Sequence, residues 1–323
     1  MMVAVHCDTS PAYNAAIESK RANAKMLARL QQAWVISLTA IALAAGWWVF
    51  RQGSPPWLAV TVTLAVLNVH AVALACEFAW LRRVEPGAGV PKPGVPTLCK
   101  AWWGEVVTGL QVFGWRQPFR SRALPDQPAG DPGRRGVVLV HGFICNRGLW
   151  NPWLLRLRSA GAPYLAVNLE PVFGSIDSYV RTIDKAVQRL QQTTSMPPVV
   201  VAHSMGGLAV RAWLRQPGAH QRVHSVVTIG TPHAGTWLAR FAISLNGRQM
   251  REGNEWLRKL EVAESRVTRA LFTCYFGHCD NIVFPASNAM LDGATNVHVQ
   301  GVAHVHLAFH RPILEDVLGR THT

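Results

Sequence analysis

VVVAHSMGGL, residues 199–208, is the stretch on which the reading of the whole chain turns. Val199 to Val201 are β-branched and read as a buried strand. The run stops at Ala202-His203-Ser204-Met205-Gly206-Gly207, and Leu208-Ala209-Val210-Arg211-Ala212-Trp213 then follows a helical pattern. A strand, a sharp corner carrying a serine and a helix make a nucleophile elbow. The serine there holds a strained backbone conformation, so the residues two before and two after it must be small. Those neighbours are Ala202 and Gly206. Ala202 departs from the usual glycine by one methyl, which still meets the steric need. Ser204 lies at the start of the helix, where backbone N–H groups and the helix dipole favour developing negative charge. The competing reading of these ten residues is an ordinary Ser/Gly-rich turn, and the surrounding sequence decides between the two.

Outward from the elbow, strand and helix patterns alternate from Gly136 onward, the mark of a mostly parallel sheet with helices on both faces. Strands are expected at Gly136–Val140, Tyr164–Asn168, Pro198–Ala202, Val223–Ile229, Ala270–Phe276 and Asn296–Gln300. Helices are expected near Pro152–Ala160, Ser175–Gln192 and Arg311–Leu318, with Trp237–Arg266 mostly helical. Ligands of such sheets bind beyond the carboxyl ends of the strands. Ser204, Asp280 and His304 each fall just after a strand, in the order nucleophile, acid, base. A serine hydroxyl attacks well only when a base takes its proton, and a carboxylate fixes the tautomer of that base and stabilises its cation. The sequence has 13 histidines, so His306 remains an alternative base, His310 opens the last helix, and Asp292 remains an alternative acid. His203 is expected to point into the sheet or onto the elbow helix. Two N–H donors are needed for the oxyanion. Met205, after the serine, supplies one, and Phe143 in His141-Gly142-Phe143 supplies the other. Ile144, Leu149 and Trp150, near this loop, are expected to line an acyl-chain pocket, although core packing accounts for some of them equally well.

The first third of the chain has a different character. Residues 1–32 are polar and read as helical from about Ala12, with Lys20, Arg21, Lys25 and Arg29. Ala33 to Phe50 then form an uncharged run of about 18 residues, long enough at about 1.5 Å each to cross a hydrocarbon core. Arg51 to Pro56 break it, and a second apolar run from Trp57 to Leu81 carries Asn68, His70 and Glu77. Trp47, Trp48, Trp57 and Trp80 stand at the ends of these runs, as interfacial aromatics do. A transmembrane helical hairpin is expected, against the alternative of a buried helical pair. The polar leader argues against a cleaved signal peptide. Four Lys/Arg residues precede the first run and Arg82 and Arg83 follow the second, which places both flanks on the cytoplasmic side. The expected units are residues 1–84 as N-terminal helix and anchor, 85–135 as a linker, and 136–323 as the catalytic domain. Within the linker, Leu98, Trp102, Val106, Leu110 and Phe113 recur at helical spacing, for an interfacial helix or one packed on the domain.

Composition agrees with this division. Of 323 residues, 49% are apolar and 15% charged, a low charge content that membrane-embedded sequence accounts for. The net charge of +14 is shared by both halves without a Lys/Arg run, which argues for an anionic bilayer surface and against nucleic acid as the partner. The six cysteines, Cys7, Cys76, Cys99, Cys145, Cys274 and Cys279, lack metal-ligand spacing, and neither a metal nor a cofactor is expected. Cys274 and Cys279 have a spacing open to a small loop disulfide in an oxidising compartment, with two free thiols as the alternative.

VVLVHGF, AHSMGG, GTPHAGT, CDNIVFP and GVAH together resemble the bacterial serine lipases of the α/β-hydrolase fold, and the Ala-x-Ser-x-Gly elbow is similar to that of the small bacterial lipases. The resemblance covers about residues 136–320. It implies a lipase or esterase cleaving a lipid or small ester through an acyl-Ser204 intermediate, while the two apolar runs and their basic flanks make the expected protein membrane-bound, multi-pass in a bacterial inner membrane with a cytoplasmic catalytic domain. A two-span anchor lies outside the usual plan of secreted lipases. Acyl transfer or thioester cleavage by the same residues, and a non-catalytic membrane scaffold, are the other readings. Oligomeric state is not legible.

Overall fold

The computed structural model describes residues 11–87 and 89–322, and Cys7 with the rest of the polar leader before Pro11 lies outside the described residues. The second half is built on six short, valine-rich strands: β1 (Val137–Val140), β2 (Tyr164–Ala166), β3 (Val199–His203), β4 (Ser225–Ile229), β5 (Phe272–Gly277) and β6 (Thr295–Val299). They form one sheet in the order β2-β1-β3-β4-β5-β6, and every neighbouring pair is parallel, with Val140 beside Ala202 and Ala202 beside Thr228. All four residues of β1 and all five of β3 are buried, as expected of strands covered on both faces. The strands match the expected positions to within one or two residues, β2 being the shortest.

The two faces separate by the alternation of side chains along a strand. Val138, Val140, Val200, Ala202 and Val226 pack with α7 (Val180–Thr194) and α8 (Met205–Leu214), through Ile183, Val187, Leu190, Leu208 and Trp213. Val137, Leu139, Val199, Val201, Val227 and Ile229 face the other way. Their partners are α6 (Asn151–Ser159) and α13 (Arg311–Arg320), through Trp153, Leu154, Leu157, Ile313 and Val317. The open side of β2 is partly covered where Gln127, from the linker, bridges to Tyr164, which blunts a free sheet edge. The stretch after β4 is broken into a 3₁₀ turn Trp237–Phe241, α9 (Leu245–Gln249), α10 (Glu255–Ala263) and α11 (Arg266–Arg269). A short α12 (His304–Leu307) follows β6. Cys274 and Cys279 are free thiols. The disulfide option fails because Cys274 lies in the core on the α8 side, whereas Cys279 is buried in a separate cluster with Phe78 and Leu98.

The N-terminal part is helical: α1 (Pro11–Arg51), α2 (Pro56–Leu67), α3 (Val69–Leu81), α4 (Val95–Gly109), a π-helical stretch Leu110–Arg116 and α5 (Gln117–Arg120). Met26–Arg51 of α1 is one helix long and apolar enough to cross a membrane, while α2 and α3 meet that test only together, bent by 53°. The second apolar run is therefore not one straight helix. It breaks at Asn68, whose backbone leaves the helical region (φ −101, ψ 16) and whose side-chain amide donates to the Leu64 carbonyl at 2.8 Å, the competition with the backbone that makes Asn a poor interior helix residue. α1 and α2 pack closely at Gly46, where an added Cβ would lie 2.9 Å from the Ala59 carbonyl oxygen. Glycine there permits the close helix contact common between apolar helices. Around this seam Trp34, Ile36, Ile41, Leu43, Trp47 and Trp48 are exposed.

The core predicts one outcome directly. Leu190 is fully buried, and its methyls fill the space beside Gly136 at the start of β1. Leu190→Ala is expected to cost about 2–5 kcal/mol, read as a lower midpoint of denaturant unfolding.

Candidate active site

The corner at residue 204 is the strained position expected from the sequence. Ser204 has φ 54 and ψ −130, a conformation that non-glycine residues adopt at a cost of about 1–3 kcal/mol. Its N–H donates to the Ile229 carbonyl at 2.9 Å, continuing the β3–β4 ladder through the corner. Its carbonyl accepts the Thr231 hydroxyl at 2.9 Å and the Gly207 N–H at 3.0 Å. Gly206 has no room for a side chain: a Cβ would stand 2.6 Å from the His141 carbonyl oxygen and 2.7 Å from that of Val140. The fully buried Ala202 fits with its one methyl.

Asp280 follows β5 and His304 opens α12 after β6. The turn after β5 aims the Asp280 carboxylate: Oδ1 accepts the N–H groups of Ile282 and Val283 at 2.9 and 2.7 Å, and Oδ2 lies 2.9 Å from His304 Nδ1. Both side chains are almost fully buried. With Nδ1–H donated to Asp280, Nε2 carries no hydrogen and is free to accept one. Among the described residues Ser204 Oγ and His304 are not yet hydrogen bonded, and such contacts in unliganded sites often tighten only with substrate present. Burial alone would hold the imidazole neutral. The charge and hydrogen bond of Asp280 outweigh it, with smaller contributions from Glu105 and Glu77, so His304 titrates above its ordinary 6.5. Gly230, at the end of β4, faces this pair so closely that a Cβ would lie 2.9 Å from Asp280 Oδ2 and 3.2 Å from His304 Nδ1.

The loop after β1 approaches from the other side, with the Cα of Gly142 beside Ser204. His141 is buried and its tautomer is determined: Nε2 must accept, because the Leu169 N–H donates to it at 3.1 Å, so Nδ1–H donates to the Gly142 carbonyl at 2.9 Å. Burial pushes His141 down to about 4, so it stays neutral. In a trans peptide the carbonyl and N–H point oppositely. By fixing the Gly142 carbonyl, His141 therefore also fixes the direction of the Phe143 N–H. Met205 starts α8, with its N–H at the free helix end.

The alternatives left by the sequence now separate. Asp292 is exposed at its side chain and pairs loosely with Arg269 at 3.9 Å. Among the described residues the His306 ring pairs with no carboxylate, and it lies against Gly104. Neither joins Ser204. Leu149 and Trp150 are fully buried in the core beside Val112 and Leu139, so they are packing residues rather than pocket-lining ones. Phe143 is partly buried against Phe173 at 6.0 Å, and Ile144 is exposed with φ 53. The sequence reading expected His203 in the sheet or on the elbow helix and gave no role to Asn281 or Glu105. His203 faces the His304 ring at 4.7 Å, with its Nε2 3.2 Å from the His304 carbonyl oxygen, and burial with the neighbouring His304 holds it neutral. Asn281 accepts the His304 N–H at 3.3 Å. Glu105 is the third, and nothing in its local sequence marks it. Among the described residues no group of three or more His, Cys, Asp or Glu side chains is arranged to hold a metal ion.

Residues 137–313 match the model of the family described as "Alpha/beta hydrolase family". Among solved structures, the mature form of lipase BlEst2 from Bacillus licheniformis aligns at a TM-score of 0.50 and 17% identity, over 58% of this chain and 94% of its own. Its propeptide form aligns at a TM-score of 0.52 and 19% identity, over 59% of this chain and 52% of its own. Lipase B of Aspergillus fumigatus aligns at a TM-score of 0.49 and 18% identity, over 81% of this chain and 68% of its own. At these identities the likeness is one of fold. No curated protein sequence matches significantly.

The crowding at the elbow sets a test. Gly206→Ala is expected to lose about 1–3 kcal/mol of stability by overpacking in chemical denaturation. Gly319→Ala in α13, where a Cβ meets nothing within 4 Å, is expected to be neutral or stabilising.

Proposed function

Since the chain belongs to the alpha/beta hydrolase family, we propose that it is a membrane-anchored serine hydrolase of carboxylic esters, a lipase or esterase, working through an acyl-Ser204 intermediate. The observation that carries the reading is the buried His304–Asp280 pair at 2.9 Å, set beyond the strand ends beside a serine in the strained elbow conformation. In the first step Ser204 Oγ bonds to the ester carbonyl carbon while His304 Nε2 takes the hydroxyl proton. The N–H groups of Met205 and Phe143 receive the negative charge on the carbonyl oxygen. The intermediate collapses, the C–O bond to the leaving alcohol breaks, and His304 returns the proton to that oxygen. Water, deprotonated in turn by His304, attacks the acyl-serine and releases the acid and the free serine.

Lipid-like esters are the proposed substrates. Phe143, Ile144 and Phe173 supply apolar surface beside the oxyanion loop, and Phe241, Ile243 and Leu245 are exposed on the segment after β4. The candidate span in α1 is only 11% buried, and its exposed Trp, Ile and Leu side chains suit lipid better than water. We read α1 as one span and the bent α2–α3 pair as a second, anchoring a domain that comprises residues 136–323. Gln31 near the start of the first span donates to Gln117 and to the Ile144 carbonyl, and Glu77 near the end of the second accepts from Asn281. Both inner ends thus meet the same domain, which supports a hairpin with both flanks on one side. The charge bias makes that side cytoplasmic, and a bacterial inner membrane is the proposed location.

Detergent-solubilised protein is expected to hydrolyse p-nitrophenyl esters, with kcat/KM falling at least about a thousandfold in Ser204→Ala. A folded wild-type chain without Ser204-dependent activity from acetate to palmitate would overturn the reading. Because the base must be neutral and its pKa is raised, activity is expected to be lost as pH falls through a midpoint above 6.5 in the kcat/KM profile. Carbonate washing of membranes is expected to leave the chain in the pellet and detergent to release it; release by carbonate alone would exclude the anchor.

A further inference from the structure

Two carboxylates from the N-terminal helices reach the loops that carry the acid and the base. Glu105, on α4, is 2% exposed. Its Oε1 accepts the Val305 N–H at 2.8 Å and its Oε2 accepts the His306 N–H at 2.9 Å. These are the two residues that follow His304, in the first turn of α12, where N–H groups have no intrahelical partner. Glu77, on α3, accepts the side-chain amide of Asn281 at 2.6 Å, and the other end of that amide accepts the His304 N–H at 3.3 Å. Asn281 is fully buried and directly follows Asp280. The backbone on both sides of the base is thereby tied to α3 and α4.

Apolar packing runs along the same line. Phe78 and Leu81 of α3 and Leu98 and Ala101 of α4 form one buried cluster with Cys279, Phe284 and Ala303. Cys279 precedes Asp280 and Ala303 precedes His304. The indole N–H of Trp102 donates to the Ala71 carbonyl at 2.9 Å, joining α4 to α3. Nothing in the parallel sheet demands these contacts, since α3 and α4 lie outside the family-matched residues 137–313.

We propose that Glu77 and Glu105 are positioning residues, which hold the acid and base loops from the N-terminal helices and make those helices part of the active-site frame. The proposal rests on the reading of Ser204, Asp280 and His304 as a catalytic set. Neither glutamate touches substrate in that scheme. Each acts through the backbone and charge of His304. The titratable groups facing His304 are Asp280 at Nδ1, the neutral His203 ring, Glu77 and Glu105. Those facing Glu105 are His304 and Asp280. Burial pushes Glu105 up to about 7, against the two backbone hydrogen bonds that favour its ionised form. As pH falls through that value the carboxylate gains a proton and keeps one good acceptor for two N–H groups, so the hold on α12 loosens.

The test uses the full-length chain in detergent, as wild type, Ser204→Ala, Glu105→Gln and Glu77→Gln. Ester hydrolysis is measured across pH, and hydrogen exchange is followed in residues 279–283, in 303–307 and in the sheet. Glutamine keeps the size of the side chain, removes the charge and leaves one acceptor oxygen. Expected for Glu105→Gln is a kcat lower by roughly ten- to a hundredfold, with KM changed by less than about twofold. Its acid limb should move to lower pH, because a charge favouring the imidazolium is gone. Exchange should rise in 303–307 for Glu105→Gln and in both loops for Glu77→Gln, with the sheet unchanged. Wild-type kcat and an unmoved acid limb in Glu105→Gln would overturn the proposal, as would a rise in exchange spread evenly through the sheet. If the wild type shows no Ser204-dependent turnover, the catalytic reading has failed. Exchange then decides the positioning claim alone, and unchanged exchange in both loops overturns it.

Discussion

Ser204 occupies a backbone conformation that costs free energy, and the surrounding structure is arranged to hold it there. With φ 54 and ψ −130 the residue cannot belong to β3 or to α8, so both must end at it. The parallel ladder fixes one side, because the Ser204 N–H still pairs with Ile229. The helix fixes the other, because Gly206 lets α8 start against the carbonyls of Val140 and His141. A strain of about 1–3 kcal/mol persists only where such contacts over-determine the geometry. What it yields is an Oγ raised above the strand ends, next to an N–H at a helix terminus. The short, fully buried strands β1 and β3 make the base on which this turn rests.

A second constraint is electrostatic. Asp280, His304 and Glu105 are nearly free of solvent, in a chain with few charges. A buried carboxylate is tolerated when its oxygens are satisfied. Asp280 meets this with two backbone N–H groups and His304, and Glu105 with two backbone N–H groups of its own. Their environments differ in a useful way. Asp280 is held by its own turn and by His304, whereas Glu105 remains pushed up to about 7. His203 and His141 stay neutral beside them, so the imidazole that can gain a proton is the one paired to Asp280.

Which of these features were legible in the sequence follows from how local their causes are. The elbow could be read because its steric demand falls on Ala202 and Gly206, two positions from the serine. Asp280 and His304 could be placed because each follows a strand whose β-branched residues mark it, and parallel topology brings strand ends together. The role of Leu149 and Trp150 was not legible, since an apolar residue near a loop reads the same whether it lines a pocket or fills the core. The break at Asn68 was visible only as one polar residue in an apolar run, and the bend depends on its backbone. Glu77 showed only as a charged residue in an apolar run, and Glu105 left no signal. Their partners are some two hundred residues away, and a lone glutamate in a helix reads as a solvated residue until the packing is known.

The contacts from the N-terminal helices are not scattered over the domain. Gln31 of α1 and Gln117 of α5 bond to the loop that carries Phe143, through the Ile144 carbonyl and the Asn146 N–H. Glu77 of α3 bonds to the acid loop, and Glu105 of α4 to the base helix. The exposed segment after β4 meets the same helices, since Trp80 at the end of α3 lies 5.0 Å from Trp237 and stacks on Phe241 at 5.9 Å. On the proposed reading, the aromatic end of the second span therefore reaches the bilayer surface where Phe241, Ile243 and Leu245 are exposed. An ester leaving the bilayer there would enter beside helices that also hold the acid and the base. One set of helices would then serve both the supply of substrate and the geometry of its cleavage.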